Sequence, residues 1–227
     1  MMKRVFHAML ICLFFTDDSY CQTDPARIFQ VRIAPLNLFD PITGVVQVGV
    51  EKRFSSRIGA SFDYGLKFNK LSISAREYGR KDYHYHKYKA EIKYFFKTKA
   101  SSRWSIKENL YLSIQAFYFP QHYRNENDWL VRNRKSYHFD YSNISRKVAV
   151  ASILIGNEQI CGRFIFDVYC GVGIRKLAIK HQPFNLVANE MPMAKEWINL
   201  VPIDRYEGNF YRPHFANGVK LGYVLNK

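Results

Sequence analysis

The chain has 227 residues, room for one domain of ordinary size, and its 34 Lys and Arg against 19 Asp and Glu give a formal net charge of +15. At 48% apolar and 16% aromatic it is too rich in core-forming side chains to be a disordered chain. Its 16 Tyr and 18 Phe, beside a modest leucine content, argue against a helical bundle and fit a protein that sets aromatic residues at two membrane interfaces.

At the N-terminus, Lys3 and Arg4 precede an apolar run, Val5 to Phe15, broken only by His7. The run is too short for a membrane-spanning helix, which needs about 20 residues, and it has the order of an export leader. Ser19 and Cys21 are small enough for the −3 and −1 positions, so cleavage is expected before Gln22. A short buried helix is the alternative. A lipidated Cys21 is disfavoured by Tyr20, Asp17 and Asp18. The expected organisation is therefore a leader over 1–21 and one domain over 22–227.

Eight strands follow from alternation. The first is Ile28–Leu36, closed by the turn-forming Asn37 to Pro41. Thr43–Phe54 alternates Val46, Val48 and Val50 with Gln47, Gly49 and Glu51. Arg57–Phe68 sets Ile58, Ala60, Phe62, Tyr64 and Leu66 against Gly59, Ser61, Asp63 and Gly65. A polar segment, Asn69–His86, leads to Lys87–Phe96, where Tyr88, Ala90, Ile92 and Tyr94 oppose Lys89, Glu91 and Lys93. Lys107–Phe119 is the fifth strand, ended by Pro120, and a second polar segment runs to Ser145. Arg146–Ile155 is closed by a turn at Gly156-Asn157-Glu158. Arg163–Leu177, a third polar segment over Ala178–Tyr211, and His214–Leu225 complete the set.

The three long connections alternate with short ones, so all three fall at one end, as in outer-membrane barrels. One face of nearly every strand is apolar. The other carries Glu51, Asp63, Glu91, Lys93, Asp167, Arg175 and Lys220 interleaved with Gly49, Gly59, Gly65, Gly171, Gly173, Gly218 and Gly222. A solvent-facing strand seldom wants that many glycines, whereas a narrow lumen needs small residues beside long charged ones. The expected fold is all-β, an eight-stranded antiparallel transmembrane up-and-down β-barrel with long extracellular loops. Its lumen is filled by a paired charge network of the seven residues above, because an unpaired charge there is costly. Cys161 and Cys170, on or beside one strand and roughly 30 Å apart, lie beyond disulfide reach.

Several short runs resemble a family of outer-membrane β-barrel proteins from Bacteroidetes, the DUF3575 type. Pro35 to Phe39, with Gly44 and Gly49-Val50-Glu51, resembles its first hairpin; Lys89 to Phe95 and Tyr111 to Tyr118 resemble its central strands; Gly218 to Tyr223 resembles its closing strand. The resemblance implies a fold and an outer-membrane location, not an activity. Where such barrels commonly end on an aromatic residue, the nearest one here is Tyr223.

Strong positive charge points to an anionic partner. Export argues against nucleic acid and favours lipopolysaccharide in the outer-membrane lipid, an anionic surface glycan or an envelope protein. The candidate contacts are Arg76, Arg80, Lys81, Arg124, Arg132, Arg134 and Lys135, placed in outer loops among Tyr78, Tyr83, Tyr85, Trp129 and Tyr137. His84 and His86 would share one face of an extended segment, too few for a metal site. Ser136, His122, His138 and Asp140 are the residue types of an acyl-lipid hydrolase or transferase, but no nucleophile elbow marks them. The reading is a non-enzymatic, monomeric surface protein without cofactor or metal. A soluble, lipocalin-like exported barrel is the third possibility.

Overall fold

The computed structural model describes residues 28–36, 44–68, 80–96, 109–132, 135–189 and 203–226; the expected leader lies outside them. Nine strands are present among the described residues: β1 (Phe29–Ile33), β2 (Val45–Arg53), β3 (Ile58–Lys67), β4 (Lys81–Phe95), β5 (Leu110–Arg132), β6 (Lys135–Cys161), β7 (Phe164–Phe184), β8 (Val187–Asn189) and β9 (Gly208–Val224). Each of β1 to β6 pairs antiparallel with the next. β9 pairs with both β7 and β1, so eight strands of a single sheet close into a ring. β8 adds three residues to β6, Val187–Asn189 against Ser136–His138. Closure pairs β1 with β9 over Gln30–Ile33, so at the base the sheet has no free edge among the described residues.

One end of the ring, the base, carries the turn at residues 54–57, the two-residue Gly162-Arg163 connection and the contact of the Phe29 N–H with Asn226 Oδ1 at 2.6 Å. At the other end, the crown, the β5–β6 hairpin reaches Arg132 and Lys135.

Several strands outrun their expected bounds toward the crown. β4 begins at Lys81 rather than Lys87, β7 continues to Phe184, and β9 begins at Gly208. β5 does not stop at Pro120, which pairs with Lys147 of β6 while the ladder to β4 skips Phe119 and Pro120. A missing N–H is tolerated where no ladder bond is made. Much of the polar segments expected as loops is therefore strand.

At the base, β6 runs through Gly156-Asn157-Glu158 to Cys161, and the chain reverses instead at Gly162, whose φ of +63° suits glycine. This puts Cys161 and Cys170 on neighbouring strands rather than along one. Cys170 pairs with Ile155, six residues from Cys161, and both thiols are free and exposed. β1 is shorter than expected, ending at Ile33 with Pro35 and Leu36 in a short 3-10 turn.

Burial divides the ring into two zones. In the basal zone the outward residues are mostly apolar, with Ile92 63%, Ile114 65% and Val172 59% exposed, and the inward ones are mostly charged or polar, with Phe95, Tyr111, Leu154 and Ile165 packed among them. In the crown the interior is apolar. Tyr83, Tyr85, Phe119, Tyr123, Ile144, Val148, Leu177 and Ile179 form its core, and His84, His86, His122, Lys147 and Lys180 face out.

Candidate functional site

The basal interior is built by alternate residues of all eight strands of the ring. Arg32 of β1 grips Asp63 of β3 with two parallel bonds, Nε–Oδ1 at 2.6 Å and Nη2–Oδ2 at 2.7 Å, and reaches Glu51 of β2 through Nη1. Lys93 of β4 bonds Glu51 at 2.9 Å, Asp167 of β7 at 2.8 Å, and Glu158 of β6. Lys220 of β9 lies 2.6 Å from Glu91 and 3.5 Å from Asp167. Arg53 pairs with Glu158 and stacks its guanidinium 3.9 Å from the Phe95 ring.

Two neutral donors complete the set. The Tyr111 hydroxyl donates to Asp167 at 2.7 Å and the Ser113 hydroxyl to Glu91 at 2.8 Å. Cross-strand glycines make room: a β-carbon at Gly156 would strike the Tyr111 ring, and one at Gly218 the Tyr169 ring. The anions Glu51, Asp63, Glu91, Glu158 and Asp167 face the cations Arg32, Arg53, Lys89, Lys93 and Lys220, all 3% exposed or less. A balanced, hydrogen-bonded set of this kind is tolerated in low dielectric, whereas removing one member strands its partners.

At the crown, residues 203–207 cross the mouth of the ring. Asp204 of the 3-10 turn Ile203–Arg205 pairs with Arg80 and, at 3.1 Å, with Arg146 of β6. Arg205 bonds Asp128 at 2.9 Å and lies 4.4 Å from the Trp129 ring, and Arg132 Nε bonds Glu207 at 2.6 Å. His181 Nε2 donates to the Asp204 carbonyl at 2.7 Å and Nδ1 faces the Ser142 hydroxyl at 3.4 Å, which assigns the neutral Nε2–H tautomer. Burial pulls His181 below the ordinary imidazole value, outweighing its acidic neighbours. Burial would raise the Glu207 carboxyl, but the Arg132 hydrogen bond and the His181 N–H hold it down. Burial pushes the Tyr83 hydroxyl up to about 12, so it stays protonated and donates to Gln121 Oε1 at 2.9 Å.

Between the charged layer and the crown core lies a cavity of about 380 Å³. Lys87, Lys89, Arg146, Arg175 and His214 line it together with Phe117, Phe119, Tyr169 and Gln115, and no carboxylate side chain does among the described residues.

Of the residues expected to form one interior network, Glu51, Asp63, Glu91, Lys93, Asp167 and Lys220 meet in it. Arg175 does not. It sits toward the crown in the cavity wall, with Val150 and Arg212 as ladder neighbours. Arg32, Arg53, Lys89 and Glu158 belong to the basal interior although pattern reading passed over them. Glu158 was hidden by its turn-like context, while Arg32 was readable from its place between Val31 and Ile33.

The basic residues placed in outer loops divide differently. Arg76 and Arg134 lie outside the described residues. Arg80 is no surface contact: its side chain is 8% exposed, turned inward on Asp204 and 4.7 Å from the Tyr123 ring. Lys81, Arg124, Arg132 and Lys135 are on strands, not loops, because the ladders extend into the crown. Lys81 pairs with Glu126, and Arg124 lies 5.5 Å from the Tyr141 ring. His84 stands opposite His122 across the β4–β5 ladder, and His86 bonds the Tyr64 hydroxyl at 2.8 Å. No three His, Cys, Asp or Glu side chains group as metal ligands among the described residues. Ser136, His138 and Asp140 alternate along one stretch of β6, but His122 is opposite Ser145, nine positions from Ser136. Nothing among protein-family models, curated proteins or solved structures matches this chain.

Proposed function

We propose that this chain is a small outer-membrane β-barrel, exported by residues 1–21, with a side-chain-filled basal interior and a structural or surface-interaction role. The observation that carries the reading is the outward apolar band of the base enclosing a buried charge network. Along β5 the outward set Leu110 to Tyr118 covers about 27 Å at ~3.4 Å per residue. A strand tilt near 40° reduces this to about 21 Å, close to the ~25 Å apolar band of such barrels.

Exposed aromatics flank the band. Phe54, Tyr94, Phe96, Phe164 and Tyr223 lie toward the base, and Tyr88, Tyr118, Tyr211 and Phe215 toward the crown. Closing the ring also satisfies the backbone groups that lipid cannot. A lipocalin-like soluble barrel would need the opposite arrangement, with Ile92, Ile114 and Val172 inside and Glu91 and Lys93 outside.

In this reading the crown stands in water and meets the phosphates of lipopolysaccharide or an acidic surface glycan. Arg124, Arg132 and Lys135 are the contacts, beside Tyr137 and Trp129. The protein acts as a monomer, without cofactor, nucleic acid or catalytic step, and belongs with the DUF3575-type barrels that its first hairpin resembles. Fractionation tests the location: the chain is expected in detergent-extracted outer membrane, with a gel mobility that changes on boiling. Release without detergent would overturn it. Replacing Arg124, Arg132 and Lys135 by Ser should weaken capture on immobilised lipopolysaccharide, and unchanged capture would remove that partner.

A further inference from the structure

The geometry points to a binding site for a small organic oxyanion, a phosphate or carboxylate on an apolar body, in the cavity between the charged layer and the crown core. In the layer below, the five acids are bonded directly to Arg32, Arg53, Lys93 and Lys220. Lys89 completes that layer's charge but lines the cavity, whose wall holds no carboxylate side chain among the described residues. Lys89 is 3% exposed, yet no carboxylate among the described residues lies within ion-pairing distance of it; it faces the Tyr169 ring at 5.0 Å. Its ladder neighbour Asp63 is already held by both arms of Arg32.

Arg175 has a second arginine, Arg212, as its ladder neighbour, and its buried Nε has no hydrogen-bond partner. Arg146 shares Asp204 with Arg80, and its Nε is also unpartnered. Lys87 and His214 add positive or polarisable groups, each against the Phe117 ring, at 5.0 and 5.5 Å. Like charges gathered in low dielectric repel strongly, and an oxyanion placed among them relieves that repulsion while satisfying the orphaned donors.

Two features set the ligand class. The volume is that of a small-molecule site, and its mixed wall fits a polar head on an apolar body. Phe117, Phe119, Val148 and Tyr169 provide apolar surface, and Gln115 and Gln121 provide amides. The wall also includes Leu36, Phe215 and Asn217. There β1 has ended at Ile33, and β9 from Lys220 toward the crown pairs with β7 alone among the described residues.

Calorimetric titration of the full folded chain in a neutral detergent, with phenyl phosphate as probe, tests the site. One molecule is expected to bind per chain, at least 10-fold more tightly than inorganic phosphate, with benzoate also binding and benzyl alcohol not. Arg175→Met and Lys89→Met should each weaken phenyl phosphate at least 10-fold, while Lys180→Met, outside the ring, should leave it unchanged. Lys89→Met could lose the fold, which the boiling-dependent gel shift reports; Arg175→Met lies outside the ion-paired network and then decides alone. Absence of saturable binding, an unchanged affinity in Arg175→Met, or equal affinity for inorganic phosphate would overturn the inference. The titration does not depend on the membrane reading, since a chain found soluble is titrated in the same way without detergent.

Discussion

Along β4 the odd-numbered residues from Tyr83 to Phe95 face inward, and so do most of those along β5, yet what they are changes halfway. In the basal half they are Lys89, Glu91, Lys93, Ser113 and Gln115, set against outward Ile92, Leu112 and Ile114. In the crown half they are Tyr83, Tyr85, Phe119 and Tyr123, set against outward His84, His86, His122 and the half-exposed Arg124. The strands do not break or slip a residue at the crossing, as the β5–β6 ladder shows by running from Leu110 to Arg132 in one register. One sheet thus carries two opposite inside-outside patterns. Where the outside is apolar, the interior holds itself by ion pairs; where the outside is polar, the interior holds itself by the hydrophobic effect. The cationic cavity sits where the two interiors meet.

The largest effect expected from disturbing this contrast is at Lys93, which is 1% exposed and bonded to three carboxylates. Lys93→Met should destabilise the ring by about 3–5 kcal/mol, because Glu51, Glu158 and Asp167 would be left buried without it. Urea unfolding in vesicles measures this, and a loss below about 1 kcal/mol would mean the network is solvated rather than sealed.

Next in size is a charge placed on the outer face. Ile114→Lys, near the middle of the apolar band, should cost about 2–4 kcal/mol in a bilayer. His122→Lys, eight residues along the same strand, should stay within about 0.5 kcal/mol as a surface change. Equal, small effects at both positions would erase the distinction between base and crown.

The smallest effect concerns pH at the crown. Burial lowers the His181 value below that of the unfolded chain, so unfolding takes up a proton as pH falls. The contribution of His181 is intact above the unfolded value, about 6.5. It is lost progressively as pH drops below that value and through the lower folded one. Amide protection around Ile179–His181, taken relative to the intrinsic exchange rate at each pH, should therefore fall between pH 7 and pH 5 more than protection in basal β6, and His181→Gln should flatten the difference. Equal pH responses in both zones would contradict the buried, neutral imidazole.

The basal half was legible because its two faces differ sharply. Glycines interleaved with Glu91, Lys93, Asp167 and Lys220 mark a crowded interior, and Gly218, beneath Tyr169, shows the physical reason: a β-carbon there would strike the ring. The crown was not legible as strand, because its polar outward residues, with Pro120 among them, read as loop. The alternation of Tyr83 and Tyr85 with His84 and His86 was the available signal, inverted in meaning. Glu158 was concealed by Gly156 and Asn157, a turn-like pair that the structure uses to seat Tyr111. Arg175 was grouped with the ion pairs from strand parity alone. Parity gives the face but not the height along the strand, and height separates the neutral layer from the cationic cavity.

The difference between the two zones is measured most directly by tryptophan placed on each outer face. Native Trp104, Trp129 and Trp197 would be replaced by Phe, and Ile114→Trp and His122→Trp made separately. In vesicles of brominated-acyl lipid, emission from the Ile114→Trp chain should be quenched strongly and be insensitive to aqueous acrylamide. The His122→Trp chain should give the reverse. Acrylamide quenching of both, with no response to brominated lipid, would contradict a base embedded in the membrane.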